Sequence, residues 1–196
     1  MRQTPLSRSF HAALVPPLVK NLSNLSHLLK RAEVHAKESG FPIEVLLTSR
    51  LYPDMFDCTR QVQIATDISR RGVARLAGCE APVMDDNETS VEQLLERISR
   101  SISFMEGVDP VDLDGAERRQ IRLPIPASMG GGERVFEGED FLRSFVLPNA
   151  YFHVSTAFAI LRHNGVPIGK FDYLLGEEAP CCLLYTSDAA DEYDRG

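Results

Sequence analysis

The sequence predicts an all-α antiparallel four-helix bundle with a small β-hairpin inserted before the last helix. Three observations lead there. Four long stretches repeat apolar residues at spacings of three and four, the periodicity of one buried helix face. Glycine follows each of them, at Gly40, Gly78, Gly107 and Gly165. One region alternates polar and apolar residues: Gln120–Ile125, then Glu133–Phe136 across the turn residues Gly130–Gly132. Four amphipathic helices of similar length bury their stripes against one another.

The first helix spans Pro16–Glu38, with Leu18, Leu22, Leu25, Leu29, Ala32 and Ala36 as its seam and Pro17 in its first turn. Ile43–Leu51 reads as a short helix, turning at Tyr52-Pro53-Asp54. Asp54 caps the second long helix, which ends at Leu76 or Ala77 before Gly78. Its buried face carries Met55, Cys58, Val62, Ala65, Ile68, Gly72, Val73 and Leu76, with Gln63 and Asp67 on the outer side. Asp85-Asp86-Asn87-Glu88 is a solvated link. Thr89-Ser-Val-Glu92 then has a capping-box pattern heading Val91, Leu94, Leu95, Ile98, Ile102 and Met105. The fourth helix runs Glu139–His163, and Val166–Asp172 packs across the bundle as an extended segment.

The chain has 196 residues and a net charge of −7, which suits one domain with a sizeable core. An acidic surface repels phosphate backbones, so general nucleic-acid binding is not expected, although one local basic patch stays open. No apolar run approaches the roughly 20 residues of a membrane-spanning helix. Met1-Arg-Gln-Thr-Pro5 lacks the apolar stretch of a secretory signal. A soluble, cytoplasmic protein is the expectation. Cys58 and Cys79 have no metal-type spacing and read as reduced, small core residues.

Residues 182–192, Cys-Leu-Leu-Tyr-Thr-Ser-Asp-Ala-Ala-Asp-Glu, resemble the translation of a transposon-based sequencing adapter. The folded domain is therefore placed at 1–176 and a non-native or disordered tail at 177–196. Without residues 182–196, which hold four acids and one arginine, the net charge of the body is −4.

Candidate chemistry lies inside the bundle. At about 100° per residue from Phe141, Asn149 and His153 fall at about 80° and 120°, beside Leu142, Val146 and Ile160 on the inner stripe. Gln61 falls about 60° from the core centre of the second helix by the same construction. Buried polar groups cost about 1–3 kcal/mol when unpartnered, so these side chains need one another or a ligand. Pro148 removes a helix hydrogen bond beside them and should kink the helix, opening a cavity. The candidate pocket is His153, Asn149, Gln61, Thr156 and His35. Both a self-satisfied polar network and a ligand or metal pocket fit this pattern. His27 points outward by phase, and His163 lies in a last helical turn, where a cation suits the helix dipole. Gly130–Gly132 lacks the Gly-Lys-Ser/Thr of a phosphate loop.

Several strings resemble one family: Asn21-Leu-Ser-Asn-Leu25, Pro53-Asp-Met-Phe56, Arg60-Gln-Val-Gln-Ile-Ala-Thr-Asp67, Ala74-Arg-Leu-Ala-Gly78, Tyr151-Phe-His-Val-Ser-Thr-Ala157 and Ile160-Leu-Arg-His-Asn-Gly-Val166. They are similar to the domain-of-unknown-function family numbered nineteen-ninety-three, in the DinB-like four-helix-bundle superfamily. The resemblance covers about residues 9–175 and implies a DinB-like bundle, with homodimers common and no activity assigned. Better-known DinB-like members hold a divalent metal with three histidines, two of them four apart on the last helix. His153 matches the second of that pair, Asn149 stands at the first, and Gln61 or Gln63 stands near the third. One imidazole and two amides are poor zinc or nickel ligands, so no metal or other cofactor is expected beyond a degenerate site.

Three functions compete on these grounds. The first is a non-catalytic bundle that dimerises or binds a partner or small polar ligand. The second is a DinB-like transferase or hydrolase using a pocket around His153. The third, a DNA-binding helix-turn-helix around Gly78, is weakest: residues 78–88 are long and acidic where such a turn has about 3–4 residues.

Overall fold

The structure, a computed structural model, describes residues 9–125, 127 and 130–179. The adapter-like string lies outside these residues. Among the described residues the order is α1 (Phe10–Ser39), α2 (Glu44–Leu47), α3 (Cys58–Ala77), α4 (Val91–Glu106), β1 (Gln120–Pro124), β2 (Glu133–Glu137), α5 (Gly138–Asp140), α6 (Leu147–His163) and α7 (Lys170–Leu175). A π-helical stretch, Phe141–Val146, joins α5 to α6 as one continuous rod, Gly138–His163. That rod is long and apolar enough to cross a membrane by length and composition; here it packs on α3 and α1.

α1, α3, α4 and α6 form the bundle. α3 lies diagonally across from α1, and α4 and α6 fill the corners between them. The route of the chain explains this order. After Gly78, the segment 78–90 turns back along α3 until Asp86 meets Arg60 in its first turn. α4 therefore starts level with the start of α3 and runs beside it in the same direction, so that Thr66 meets Arg97. α6 runs against α3, with His153 at Gln61 and Val146 at Gly72.

The seam leucines and alanines of α1 are all buried, and Gly40 ends the helix at φ 73°. That left-handed conformation lets its N–H reach Ala36 and Lys37 carbonyls, and glycine adopts it without a Cβ penalty. The helix starts earlier than Pro16. Ser9 Oγ accepts the Ala12 N–H at 3.2 Å, so Pro16 and Pro17 lie inside the helix, not in its first turn. The carbonyls of Ala12 and Ala13, which lose their donors, sit on exposed residues where water serves them.

Other boundaries move for similar local reasons. The helix expected over Ile43–Leu51 is confined to Glu44–Leu47. Asp57, not Asp54, caps α3 through the Arg60 N–H at 2.9 Å. The capping box forms one residue later than expected, between Ser90 and Gln93. Starting α4 at Val91 turns Val91, Leu94, Ile98 and Met105 inward together. Cys58 is buried as expected of a core thiol, whereas Cys79 follows the helix stop and is exposed; both are free. In the hairpin, Ile121 opposes Phe136, both buried, and Phe136 packs on Phe141 and Phe145.

The largest departure concerns charge. Gln63 and Asp67 do not face solvent; the return segment and α4 cover them. Asp67 Oδ1 accepts from Arg70 and Arg97, each at 2.7 Å, and Oδ2 pairs with Arg71 at 3.0 Å. Arg97, buried, also donates to Thr66 Oγ1, the Asp85 carbonyl and Glu88, and pairs with Asp86. Gln63 donates to Glu88 at 2.9 Å.

Two substitutions test this packing. A Cβ on Gly72 would lie 2.7 Å from Val146 Cγ1. Gly72→Ala should cost about 1–3 kcal/mol in urea unfolding, and adding Val146→Ala should recover part of it. Asp67→Asn removes the carboxylate shared by two buried guanidinium groups and should cost about 3–5 kcal/mol. A loss under about 1 kcal/mol, as for an exposed ion pair, would contradict that burial.

Candidate functional site

The site is built where α6 crosses the first turns of α3. The buried residues of α6 are Ala150, Val154, Thr156, Ala157, Ile160 and Leu161, centred roughly 60° round from the stripe phase alone suggests. The π turn accounts for part of this, because its i→i+5 bonding changes the rotation per residue between Phe141 and Val146. Pro148 enters just after that widened turn and lies exposed. Asn149 and His153 are consequently half-buried, at the edge of the stripe.

His153 and Gln61 meet. His153 Nδ1 lies 2.7 Å from Gln61 Oε1, and Gln61 Nε2 donates to the Phe56 carbonyl at 3.1 Å. A carbonyl can only accept, so it fixes which end of the Gln61 amide faces the imidazole. The amide oxygen then requires a proton on Nδ1, leaving Nε2 as the acceptor of the neutral ring. Burial first, and the nearby Arg60 charge second, hold His153 below the usual histidine range.

The other expected members sit elsewhere. Asn149 Nδ2 turns back to the Phe145 carbonyl at 2.8 Å. Thr156 is buried, and its hydroxyl donates to the Phe152 carbonyl one turn earlier. His35 packs edge-on against Phe41 and lies beside Gly165, past the end of α6. Twelve residues of rise separate Gly165 from His153, about 18 Å along the axis. His27 does not point outward: α7 covers it, and its Nε2 pairs with Asp172 Oδ1 at 2.8 Å. That same α7 replaces the end of the segment expected to be extended, since the helix begins at Lys170.

Phe152 and Arg60 lie near His153, Phe56 meets Gln61 through its carbonyl, and none of the three is among the candidate pocket residues. Phe152 packs edge-on against the imidazole yet stays 56% exposed, and Phe56 is 55% exposed. Arg60 lies over the Phe56 ring, donates to Gln63 at 3.0 Å and pairs with Asp86. Arg60 precedes Gln61 and Phe152 precedes His153, and all three residues stand in the strings that carry the family resemblance.

This donor set does not fit the divalent metal of better-known DinB-like proteins. The Gln61 oxygen is committed to His153, the Asn149 amide nitrogen is committed to its own helix, and Arg60 places positive charge nearby. Among the described residues, no three His, Cys, Asp or Glu side chains converge as a metal would need.

The imidazole has a pH signature. Its folded pKa is depressed, so below about 6.5 the unfolded chain binds this proton more readily. The contribution to stability is complete above that pH and is lost as pH falls towards the folded value. The unfolding free-energy difference between wild type and His153→Gln should therefore shrink as pH drops below about 6.5 in urea titrations. An imidazole titrating by NMR at or above that pH would contradict it.

Comparison with known proteins agrees with this architecture. The family model described as a domain of unknown function (DUF1993) matches residues 10–174. No curated protein matches the chain. The crystal structure of a DinB family member protein from Shewanella denitrificans is 39% identical, with a TM-score of 0.76 over 84% of this chain and 90% of that one. The chain belongs to the DUF1993 family, with a DinB-like fold.

Proposed function

We propose that this bundle is a non-catalytic binding protein that takes a small polar ligand beside His153. The observation that carries this reading is the Phe56–Gln61–His153 chain of hydrogen bonds. It leaves one acceptor, Nε2, fixed in direction on a ring that packs against the exposed Phe152. Such a site suits a ligand with one N–H or O–H donor and a flat or apolar body. A fixed acceptor is a recognition device, because a ligand lacking the matching donor leaves it unsatisfied.

A transferase or hydrolase centred on His153 would need a nucleophile or a polarised substrate nearby. The closest thiol along α3, Cys58, is fully buried and pushed up to about 12, chiefly by burial, so it stays protonated and inert. That chemistry favours binding over thiol transfer.

The test is a protein-observed NMR screen of small polar aromatic donors. Binders should shift His153 Nε2 and Phe152, and His153→Ala should weaken them at least tenfold. Gln61→Leu, which frees the imidazole tautomer, should weaken them too. Binding unaffected by both substitutions would reject the site. Conversion of a bound compound to product, lost in His153→Ala, would replace this reading with the enzymatic one.

A further inference from the structure

The rod Gly138–His163 differs from the other bundle helices on the side turned away from the core. Its outward line runs through Ser144, Pro148, Phe152, Ser155, Ala159 and Arg162. Between Arg143 and Arg162 it contains no Asp, Glu, Lys or Arg. The outward sides of α1 and α4 are charged by comparison: Lys20, Lys30, Glu33 and Lys37 on one, Glu92, Glu96, Arg100 and Glu106 on the other. Only 39% of the rod's most apolar window is buried, and Phe152 stays 56% exposed. An uncharged face left open in a chain that is 25% charged marks a contact surface.

Apolar residues flank this face on both sides. On the His153 side, the loop between α2 and α3 exposes Leu51, Tyr52 and Phe56, and the Phe56 carbonyl is tied to His153 through Gln61. On the other side, Ser155 Oγ donates to Tyr173 Oη of α7 at 3.1 Å, and the neighbouring Leu174 is exposed. The helix line alone is about 27 Å long and about 10 Å wide, a footprint of about 270 Å². A stable interface takes about 800 Å² per partner, so the occupant has to span the flanks as well.

We propose that a second copy of this chain covers this face, with the two rods antiparallel about a two-fold axis between Phe152 and Ser155. Charge selects this occupant. Two copies at −7 repel where their acids meet, and along this line neither presents an acid. Shape agrees, because a two-fold contact has to be complementary to itself. In this register Phe152 of one copy meets Ser155 of the other, and Pro148 meets Ala159, so each larger side chain lies on a smaller one. Arg162 falls at the level of Ser144, whereas a parallel pairing would set it against its own copy. A lipid surface is the poorer occupant: membrane-surface helices line the apolar face with Lys and Arg, and this rod has only Arg143 and Arg162. The dimer does not rest on the ligand reading; its second copy covers Phe152 from outside and adds a wall to the His153 site.

The experiment is sedimentation velocity on the full chain, without ligand, from micromolar to sub-millimolar concentrations. It should show a dimer. Ser155→Arg and Ala159→Arg should each weaken its dissociation constant at least tenfold, because each sets a cation against an apolar side chain of the other copy. Val83→Arg, at a residue 82% exposed on the return segment, should leave the dimer unchanged. Circular dichroism checks that each variant folds; if Ser155→Arg does not, Ala159→Arg carries the decision. A monomer at every concentration overturns the proposal, and flotation of that monomer with neutral phosphatidylcholine vesicles would assign the face to lipid. A dimer indifferent to both α6 variants, or one broken by Val83→Arg, overturns it too and places the contact elsewhere. None of these outcomes decides the ligand reading, which is read at His153.

Discussion

The buried Arg97 guanidinium is the constraint on which the bundle's arrangement depends. It holds Asp67 of α3 and the acids of the return segment at once, Asp86 and Glu88. Arg60 and Gln63 of α3 add ties to the same two acids, which draw an acidic loop back along a helix. With these ties, the 78–90 segment returns to the beginning of α3, and α4 must start there. The diagonal placement of α1 and α3 follows, because α4 then occupies the corner between them. Buried ion pairs of this kind contribute little net stability, since desolvation offsets attraction. Their effect here is on topology: another route for the loop would take Asp86, Glu88 and the Asp85 carbonyl away from the buried Arg97.

The same constraint explains what was legible in the sequence. Apolar periodicity located the four bundle helices and most of the buried face of the first three, because that signal is local and repeats every turn. The α1 seam and the α3 residues Cys58, Val62, Ala65, Val73 and Leu76 are buried as their spacing implies. Gln63 and Asp67 misled for a definite reason. Helical phase assigns a polar flank to water unless another segment covers it, and the covering segment lies 19 residues further along at Asp86. His27 repeats the lesson, with α7 covering it from Asp172. Coverage of a polar face is tertiary information and leaves no trace in the period of a single helix.

At the candidate site the residue types were legible and their partners were not. His153 and Gln61 were placed near one another by facing helices, and they meet. Asn149 was placed beside them by the same phase, yet its amide bonds its own helix at Phe145. The π turn and the small residues Ala150 and Ala157 rotate the contact stripe, and a stripe of alanines is a weak hydropathy signal. Phe56 and Phe152 were missed because exposed aromatics break no pattern until the site beside them is known.

The His153 site and the Arg97 network share one connection, Arg60. Its guanidinium is held by Asp86, from the segment that Arg97 anchors, and by Gln63, which also donates to Glu88. From that position its charge disfavours protonation of His153. The anchored loop therefore adds, after burial, to what disfavours the charged imidazole, although no hydrogen bond joins the loop to the ring. A cation held beside the histidine is what distinguishes this site from a metal centre of similar geometry. There, the ion would be the cation, and a fixed guanidinium would compete with it. In this chain the charge network does the opposite of preparing a metal site: it supplies a permanent positive group and leaves a neutral histidine free for hydrogen bonding.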